Sequence, residues 1–183
     1  LLPHGRTRLA RGPCAAAAGT LAARAGGVRV SSPERPVVLV IAGSDSSGGA
    51  GIVRDVQTLM DFETDALCVV TAVTAQSNRR VTAVHVIPPE VALAQIEAAY
   101  ATRRPDAVKI GMLGTRATVE AVADALERLG DGAVPIVLDP VLVSSSGGTL
   151  LDEEGRRALR ERLLPLVTLL TPNVPEGATL LEE

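Results

Sequence analysis

The chain has 183 residues, of which 46% are hydrophobic and 21% charged, with a mean hydropathy of +0.27 and a net charge of −3. These values predict one α/β domain with a sizeable apolar core. Aromatic residues make up only 1% of the chain, which argues against nucleic-acid binding by base stacking. No apolar run approaches the ~18 residues that cross a membrane. We therefore expect neither nucleic acid nor a membrane as a partner.

The cysteines and histidines argue against several kinds of chemistry. Cys14 and Cys68 lie far apart, and no Cys/His cluster has zinc-ligand spacing. The only histidines are His4 and His85, so a Ser-His-Asp hydrolase would need His85 as its base. A structural role for His85 is the simpler interpretation, and neither a zinc protein nor a serine hydrolase is indicated.

Residues 1–35 differ in composition from the rest of the chain. They contain six Arg and one acidic residue, and they lack apolar periodicity. An organelle transit peptide has this character, but a translated upstream segment or a disordered extension would have it too. Residues 36–183 carry twelve basic and twenty acidic residues, and we expect them to form the folded domain. The domain itself favours a cytoplasmic protein, whereas a transit peptide would favour an organelle.

A strand, a glycine-rich loop and a helix follow one another at the start of the domain. The apolar run 37–42 predicts a buried strand, and residues 43–51 contain four glycines. Glycines let a ligand approach the backbone, and a helix start presents free N–H groups. The loop lacks the lysine of a nucleoside-triphosphate loop, and a tight turn without a ligand is the alternative interpretation. The helix is predicted from an apolar stripe formed by Ile52, Val56, Leu59 and Met60.

The rest of the domain alternates strands with helices. Further strands are predicted at 66–75, 81–86, 106–110, 135–138 and 166–170. Helices are predicted after Pro88-Pro89, after Thr115 as N-cap, over Asp152–Leu164, and from near Pro175. This alternation predicts an α/β fold with a mostly parallel sheet flanked by helices.

Polar residues gather just past the predicted strand ends. In a parallel sheet those ends face one crevice, where ligands bind. The sequence therefore predicts a small-molecule site at this edge, formed by Asp45, Gln76, Met112, Asp139, Asn173 and Glu176.

Four charged residues are candidates for chemistry at this edge. Asp139 and Glu176 are hard oxygen ligands that suit Mg²⁺, although Asp139 precedes a proline and Glu176 fits the first turn of a helix. Asp55, one turn into the first helix, needs a donor, either a backbone group or a ligand. Lys109, the only lysine, either reaches a phosphate or extends along the surface to solvent, and we expect the latter.

Five motifs, in this order and spacing, resemble one family. They are GSDSSGGAGIVRD (43–55), TAVTAQSNR (71–79), KIGML (109–113), VLDPVLVSSSG (137–147) and TPNVPE (171–176). Together they resemble the hydroxymethylpyrimidine/phosphomethylpyrimidine kinases of thiamine biosynthesis, in the ribokinase-like superfamily. The resemblance covers roughly 36–183 and implies a ribokinase-like three-layer sandwich.

The resemblance implies ATP- and Mg²⁺-dependent phosphorylation of an aminopyrimidine and of its monophosphate. By position, Gly43, Ala50 and Asp55 would contact the pyrimidine, and Gln76 would hydrogen-bond to its ring edge. Met112 and Val141 would pack on the ring, and the strand at 81–86 would form part of a lid. The nucleotide end of the site would be formed by Asn173 beside ATP, and by Asp139 and Glu176 around Mg²⁺ and phosphate.

Two departures from the family pattern qualify this interpretation. Family members continue with a Gly-Thr-Gly loop that supplies an anion hole and the residue activating the substrate hydroxyl, which we expect beyond Glu183. Residues 61–65 also replace a glycine-containing turn. A pyridoxal-type kinase of the same superfamily and a non-catalytic remnant are therefore alternatives, and a homo-oligomer is possible under each of them.

Overall fold

The structure is a computed structural model that describes residues 34–77, 79–130, 132–143 and 148–181. The predictions for residues 1–33, and those for the loop at 144–147, lie outside these ranges. Glu34 and Arg35, which the sequence analysis places in the extension, both contact Arg103 of the domain: its guanidinium lies 3.7 Å from the Glu34 carboxylate and donates to the Arg35 carbonyl.

The described chain alternates strands and helices in the order that the sequence predicts. The strands are β1 (Val37–Asp45), β2 (Asp65–Ser77), β3 (Arg80–Val86), β4 (Ala107–Ile110), β5 (Ile136–Leu138) and β6 (Leu169–Leu170). The α-helices are α1 (Gly51–Asp61), α2 (Pro89–Thr102), α3 (Arg116–Leu129), α4 (Glu153–Ala158) and α5 (Val174–Leu181).

The described strands form one sheet in the order β3-β2-β1-β4-β5-β6. Neighbouring strands are parallel from β2 to β6, and only β3 is antiparallel to its neighbour. The prediction of a mostly parallel sheet flanked by helices is therefore confirmed. Because the carboxyl ends of β1, β2, β4 and β5 point the same way, the residues that follow them lie at one edge of the sheet.

Helices lie on both faces of this sheet. On one face Leu39 and Ile41 of β1, with Val108 and Ile110 of β4, belong to the buried core that α2 and α3 complete. Side chains alternate along a strand, so Lys109 points to the opposite face. There it reaches α1. The face that α1 covers therefore carries an ion pair at the point where the other face carries the apolar core.

Two predicted elements differ from the structure near the end of the chain. The helix predicted over Asp152–Leu164 is α4 with Asp152 as N-cap, followed by a π-helical turn (Leu159–Leu163) and a 3₁₀ turn (Leu164–Leu166). Pro165 has no N–H to donate and its ring crowds the preceding turn, which accounts for the irregular end. The strand predicted from residue 166 therefore begins only at Leu169.

Thr115 is the N-cap of α3 as predicted, since its side chain accepts a hydrogen bond from the Thr118 N–H.

One residue of the apolar stripe predicted for α1 is not covered by the rest of the protein. Met60 is 68% exposed, although the sequence predicts it as part of this stripe. Met60 lies at the edge of the apolar stripe, about 100° around the helix from Leu59.

In the described part of the chain, no helix combines the length and the hydropathy needed to cross a bilayer.

Candidate functional site

The turn between β1 and α1 forms one wall of the candidate site. Gly51 has φ = 61°, and a Cβ atom at this position would overlap the carbonyl oxygen of Gly43. Ser44 and Gly51 form an antiparallel bridge, which closes the base of the turn. Inside the turn the Asp45 carboxylate accepts hydrogen bonds from the Ser47 N–H and hydroxyl, both at 2.8 Å. The turn is therefore a closed loop with backbone exposed to the adjoining cleft.

A cleft of about 160 Å³ opens at the carboxyl ends of the strands. Seven of the residues predicted for the site line it: Gly43, Asp45, Ala50, Gln76, Met112, Asp139 and Val141. These residues come from four separate stretches of sequence, and the parallel sheet brings them together. The structure thus places them around one cavity, while the role of each stays a prediction.

Gln76 lines the cleft, and the Ser46 hydroxyl ties its backbone to the glycine turn. Its N–H donates to the Ser46 hydroxyl and its carbonyl accepts from the same hydroxyl, both at 2.9 Å. The Thr74 hydroxyl lies 3.3 Å from Oε1 of Gln76 and 3.1 Å from the Ser44 carbonyl oxygen. The Thr74 contact orients the Gln76 side chain, and an amide can recognise a donor and an acceptor on one ligand edge.

Met112 lies against Gly43 of the turn and also lines the cleft. A Cβ atom at Gly43 would stand 3.2 Å from the Met112 sulphur, so glycine at position 43 allows the close approach. The Met112 carbonyl accepts from the Thr71 hydroxyl at 2.5 Å. This arrangement gives the cleft an apolar, polarizable wall suited to the face of a flat ring.

Lys109 is a charged residue of the cleft whose role differs from the expectation. Its ammonium is 2.8 Å from Oδ2 of Asp55, and the two side chains are 27% and 21% exposed. The donor that Asp55 needs is thus Lys109, neither a backbone group nor a ligand. Lys109 lines the cleft, whereas Asp55 is not among its lining residues. The prediction that Lys109 extends along the surface is therefore wrong.

Burial raises the pKa of the Asp139 carboxyl. The nearby Lys109 ammonium opposes this shift in pKa, and the carboxylates of Glu176 and Asp55 reinforce it. Asp139 and Glu176 are thus close enough to repel each other. A divalent cation relieves such repulsion, and Mg²⁺ needs few protein carboxylates because it keeps waters and substrate phosphates as ligands. The described residues form no group of three or more His, Cys, Asp or Glu side chains that could hold a metal, and Mg²⁺ binding by Asp139 and Glu176 stays a prediction.

Glu176 also caps its own helix. The Asn173 N–H donates to Oε2 of Glu176 at 3.0 Å, and the Glu176 N–H donates to Oδ1 of Asn173 at 2.9 Å. This reciprocal pair is a capping box at the start of α5. Glu176 is 8% exposed, so its carboxylate is both buried and committed to the helix start. Asn173 and Glu176 are not among the described residues that line the cleft.

The strand predicted as part of a lid is β3, at the edge of the sheet. Most of its residues are exposed, and its last residue, Val86, packs over Gly114, where a Cβ atom would stand 3.2 Å from a Val86 methyl group. Gly114 has φ = 87°, a conformation that favours glycine. The contact attaches the end of β3 to the loop after β4, and the role of β3 as a lid stays a prediction.

Thr74 is a cleft residue that the sequence analysis did not identify. It precedes Gln76 by two positions on β2, and the period of two along a strand puts both on one face. That alternation was the available signal. For Lys109 the sequence gives a weaker signal, because the surroundings of its side chain depend on which face of the sheet α1 covers.

A mostly parallel sheet with helices on both faces and a polar cleft at the strand ends defines an α/β protein with a small-molecule site. Residues 45–183 match the family model described as phosphomethylpyrimidine kinase. The chain belongs to this family, and the predicted fold class and family are confirmed.

Individual relatives belong to the same kinase family. Over 142 residues the chain is 46% identical to a hydroxymethylpyrimidine/phosphomethylpyrimidine kinase of Rhizobium meliloti, an alignment covering 78% of this chain and 52% of the relative. The structure of a phosphomethylpyrimidine kinase from Clostridium difficile is similar with a TM-score of 0.75 and 38% identity, covering 81% of this chain and 64% of that one. The chain thus spans about half the length of the curated relative.

A pyridoxal kinase has a similar structure. The Staphylococcus aureus enzyme in complex with AMP-PCP and pyridoxal has a TM-score of 0.69 and 32% identity, with 80% of this chain and 51% of that chain covered. Both the identity and the TM-score are lower than for the Clostridium difficile kinase.

Proposed function

We propose that the protein uses ATP and Mg²⁺ to phosphorylate 4-amino-5-hydroxymethyl-2-methylpyrimidine and its monophosphate in thiamine biosynthesis. The observation that carries the proposal is the cleft in which Gln76, Met112 and Asp139 meet, in a chain of the phosphomethylpyrimidine kinase family. The same cleft combines a recognition amide, an apolar wall and a carboxylate, as a neutral aromatic substrate and a phosphoryl donor require.

In this proposal the pyrimidine lies against the glycine turn and against Met112, which both line the cleft. Gly43 and Ala50 present backbone at close range, and the Gln76 amide hydrogen-bonds to the ring edge. Met112 and Val141 pack on the ring face. Asp55, predicted to contact the pyrimidine, pairs with Lys109, which lines the cavity, whereas Asp55 is not among the lining residues.

The chemical step transfers the γ-phosphoryl group. A bond forms between the substrate hydroxymethyl oxygen and the γ-phosphorus, the bond to the bridging oxygen of ADP breaks, and the hydroxyl proton leaves to a base. In the second reaction a phosphate oxygen of the monophosphate is the nucleophile. Such transfers depend on positioning and on neutralising charge. Asp139 and Glu176 would hold Mg²⁺, which neutralises charge on the phosphates when it is bound, and Asn173 would lie beside the nucleotide.

Phosphorylation of pyridoxal is the second candidate function. It is favoured by the similarity to the Staphylococcus aureus kinase whose structure contains pyridoxal and AMP-PCP. The same complex supports ATP as the phosphoryl donor for this chain. The higher identity and TM-score of the Clostridium difficile phosphomethylpyrimidine kinase support the pyrimidine as substrate.

The two candidates are separated by measuring ADP release by the full-length protein with hydroxymethylpyrimidine, its monophosphate and pyridoxal. We expect faster turnover of the pyrimidines, and faster turnover of pyridoxal would reject the proposal. Calorimetry then tests the site: Gln76→Ala should weaken pyrimidine binding and leave nucleotide binding intact. Gln57→Ala, which changes an exposed glutamine of α1, is the matched control. Equal loss of pyrimidine and nucleotide binding in Gln76→Ala would contradict the assigned role of Gln76.

A further inference from the structure

The charges around the cleft raise a question about the proposed substrates, one neutral and one carrying a phosphate. Among the described residues that line the cleft, Asp45 and Asp139 are acidic and Lys109 alone is basic. The carboxylates of Asp55 and Glu176 also act on Asp139. A neutral hydroxymethyl group meets no charge repulsion from the carboxylates of such a cleft. A phosphate, by contrast, carries close to two negative charges at neutral pH. A phosphate without a cation beside it would meet carboxylates.

The position of the Lys109 ammonium is closely defined by its neighbours. Val108 and Ile110, on either side of it in β4, are buried in the core and fix the strand. The ammonium is 2.8 Å from Oδ2 of Asp55, and a Cβ atom at Gly111 would stand 3.2 Å from it. An ammonium has three N–H donors, so the bond to Asp55 uses one of three. Asp55 therefore orients a cation that remains able to contact an anion in the cleft.

We infer that Lys109 is the residue that allows the cleft to bind the phosphorylated pyrimidine, by contacting its phosphate, while contributing little to binding of the hydroxymethyl form. Asp55 is a positioning residue that acts through Lys109. The inference rests on the proposed function, because it assigns to one residue the ability to accept the second of the two proposed substrates.

The test is calorimetric binding of 4-amino-5-hydroxymethyl-2-methylpyrimidine and of its monophosphate to the full-length protein, without nucleotide or Mg²⁺. Lys109→Met removes the ammonium, and Lys109→Met/Asp55→Asn removes it without leaving the Asp55 charge unpaired. We expect the Kd for the monophosphate to rise about tenfold to a hundredfold in both variants, the effect of losing a charge-assisted hydrogen bond. The Kd for the hydroxymethyl form should change less than about threefold, because no charged contact is lost.

Arg128→Met is the matched control, because Arg128 is an exposed cation at the far end of α3 that pairs with Glu97. It should leave both Kd values unchanged. Equal weakening of both ligands in the double variant, or no weakening of the monophosphate, would overturn the inference even when wild-type protein binds both pyrimidines. Failure of wild-type protein to bind either pyrimidine would instead refute the proposed function, and the assignment of Lys109 with it. Thermal melting shows which variants are folded. If Lys109→Met is not folded, the binding data of the double variant decide the test.

Discussion

Gly51 and Gly43 approach each other so closely that position 51 has no room for a side chain. A Cβ atom on Gly51 would overlap the Gly43 carbonyl oxygen, and one on Gly43 would stand 3.2 Å from the Met112 sulphur. Because Gly51 also has φ = 61°, a side chain at this position meets both a clash and an unfavourable backbone conformation. The shape of the cleft wall therefore depends on these two glycines.

Gly51→Ala should destabilise the fold by about 2 kcal/mol or more, since the left-handed conformation alone costs about 1–2 kcal/mol for a residue with a side chain. The variant should also lose pyrimidine binding, because the turn must open. Urea denaturation and calorimetry measure the two effects. Gly177→Ala in α5 is the control: a Cβ atom at Gly177 would contact nothing within 4 Å, and alanine favours a helix by about 1 kcal/mol. Similar effects of the two substitutions would contradict the close-contact argument.

Glu63 adopts the conformation that the missing glycine of residues 61–65 would supply. It has φ = 53°, and the Glu63 and Thr64 N–H groups donate to the carbonyls of Met60 and Leu59 at 3.0 and 2.9 Å. This pattern is a Schellman motif ending α1, with glutamate in the left-handed position that glycine usually occupies.

Glu63→Gly should therefore stabilise the protein by about 1 kcal/mol, because glycine adopts a left-handed conformation without steric cost. For a chain of this size the melting temperature should rise by about 2–4 °C, as measured by circular dichroism. Glu63→Ala separates conformation from charge, since alanine lacks the carboxylate but retains the unfavourable Cβ. An equal gain with alanine would show that removal of the charge is responsible.

The capping box of α5 gives Glu176 a structural role that must be separated from metal binding. Glu176→Ala removes the acceptor for the Asn173 N–H and should lower stability by about 1 kcal/mol, the usual effect of losing a cap. Glu176→Gln keeps an oxygen in that place and should change stability by less than about 0.5 kcal/mol. Urea denaturation measures both changes.

The same pair of variants tests the proposed Mg²⁺ site. Glu176→Gln should weaken the Mg²⁺ dependence of nucleotide binding in calorimetry, because the amide lacks the charge that attracts the cation. An unchanged Mg²⁺ dependence in this variant would restrict Glu176 to its capping role. Equal destabilisation by alanine and glutamine would contradict the capping role instead.

The cleft residues that follow strand ends are predictable from the sequence. Gln76, Met112 and Asp139 could be predicted together because parallel strands end at one edge, whatever the detailed packing. Thr115 could be predicted as a cap because its interaction is local. Features that depend on tertiary packing cannot be predicted from local sequence in this way. The pairing of Lys109 with Asp55 requires knowing that α1 covers the face of β4 opposite to the apolar core.

Irregular segments were the other limit of sequence reasoning. Leu159 and Leu163, in the helix predicted over Asp152–Leu164, are buried, but the π-helical turn that contains them is not predicted by the sequence. The apolar spacing of a helix changes little when one turn widens, so the periodicity is the same in both conformations. Pro165 indicated where the helix must end, and its effect reaches back several residues.

The reactivity of the Cys68 thiol should depend on the charge of Asp55. Partial burial raises the pKa of the Cys68 thiol, and the Asp55 carboxylate raises it further. Because only the thiolate reacts with iodoacetamide, alkylation should become fast only above the ordinary pKa of a cysteine. Asp55→Asn should lower this pKa and accelerate alkylation at pH 8, whereas Asp61→Asn, an exposed aspartate of the same helix, should not. Mass spectrometry of the Cys68 peptide separates its alkylation from that of Cys14. Equal rates in wild type and Asp55→Asn would show that the Asp55 carboxylate does not act on the thiol.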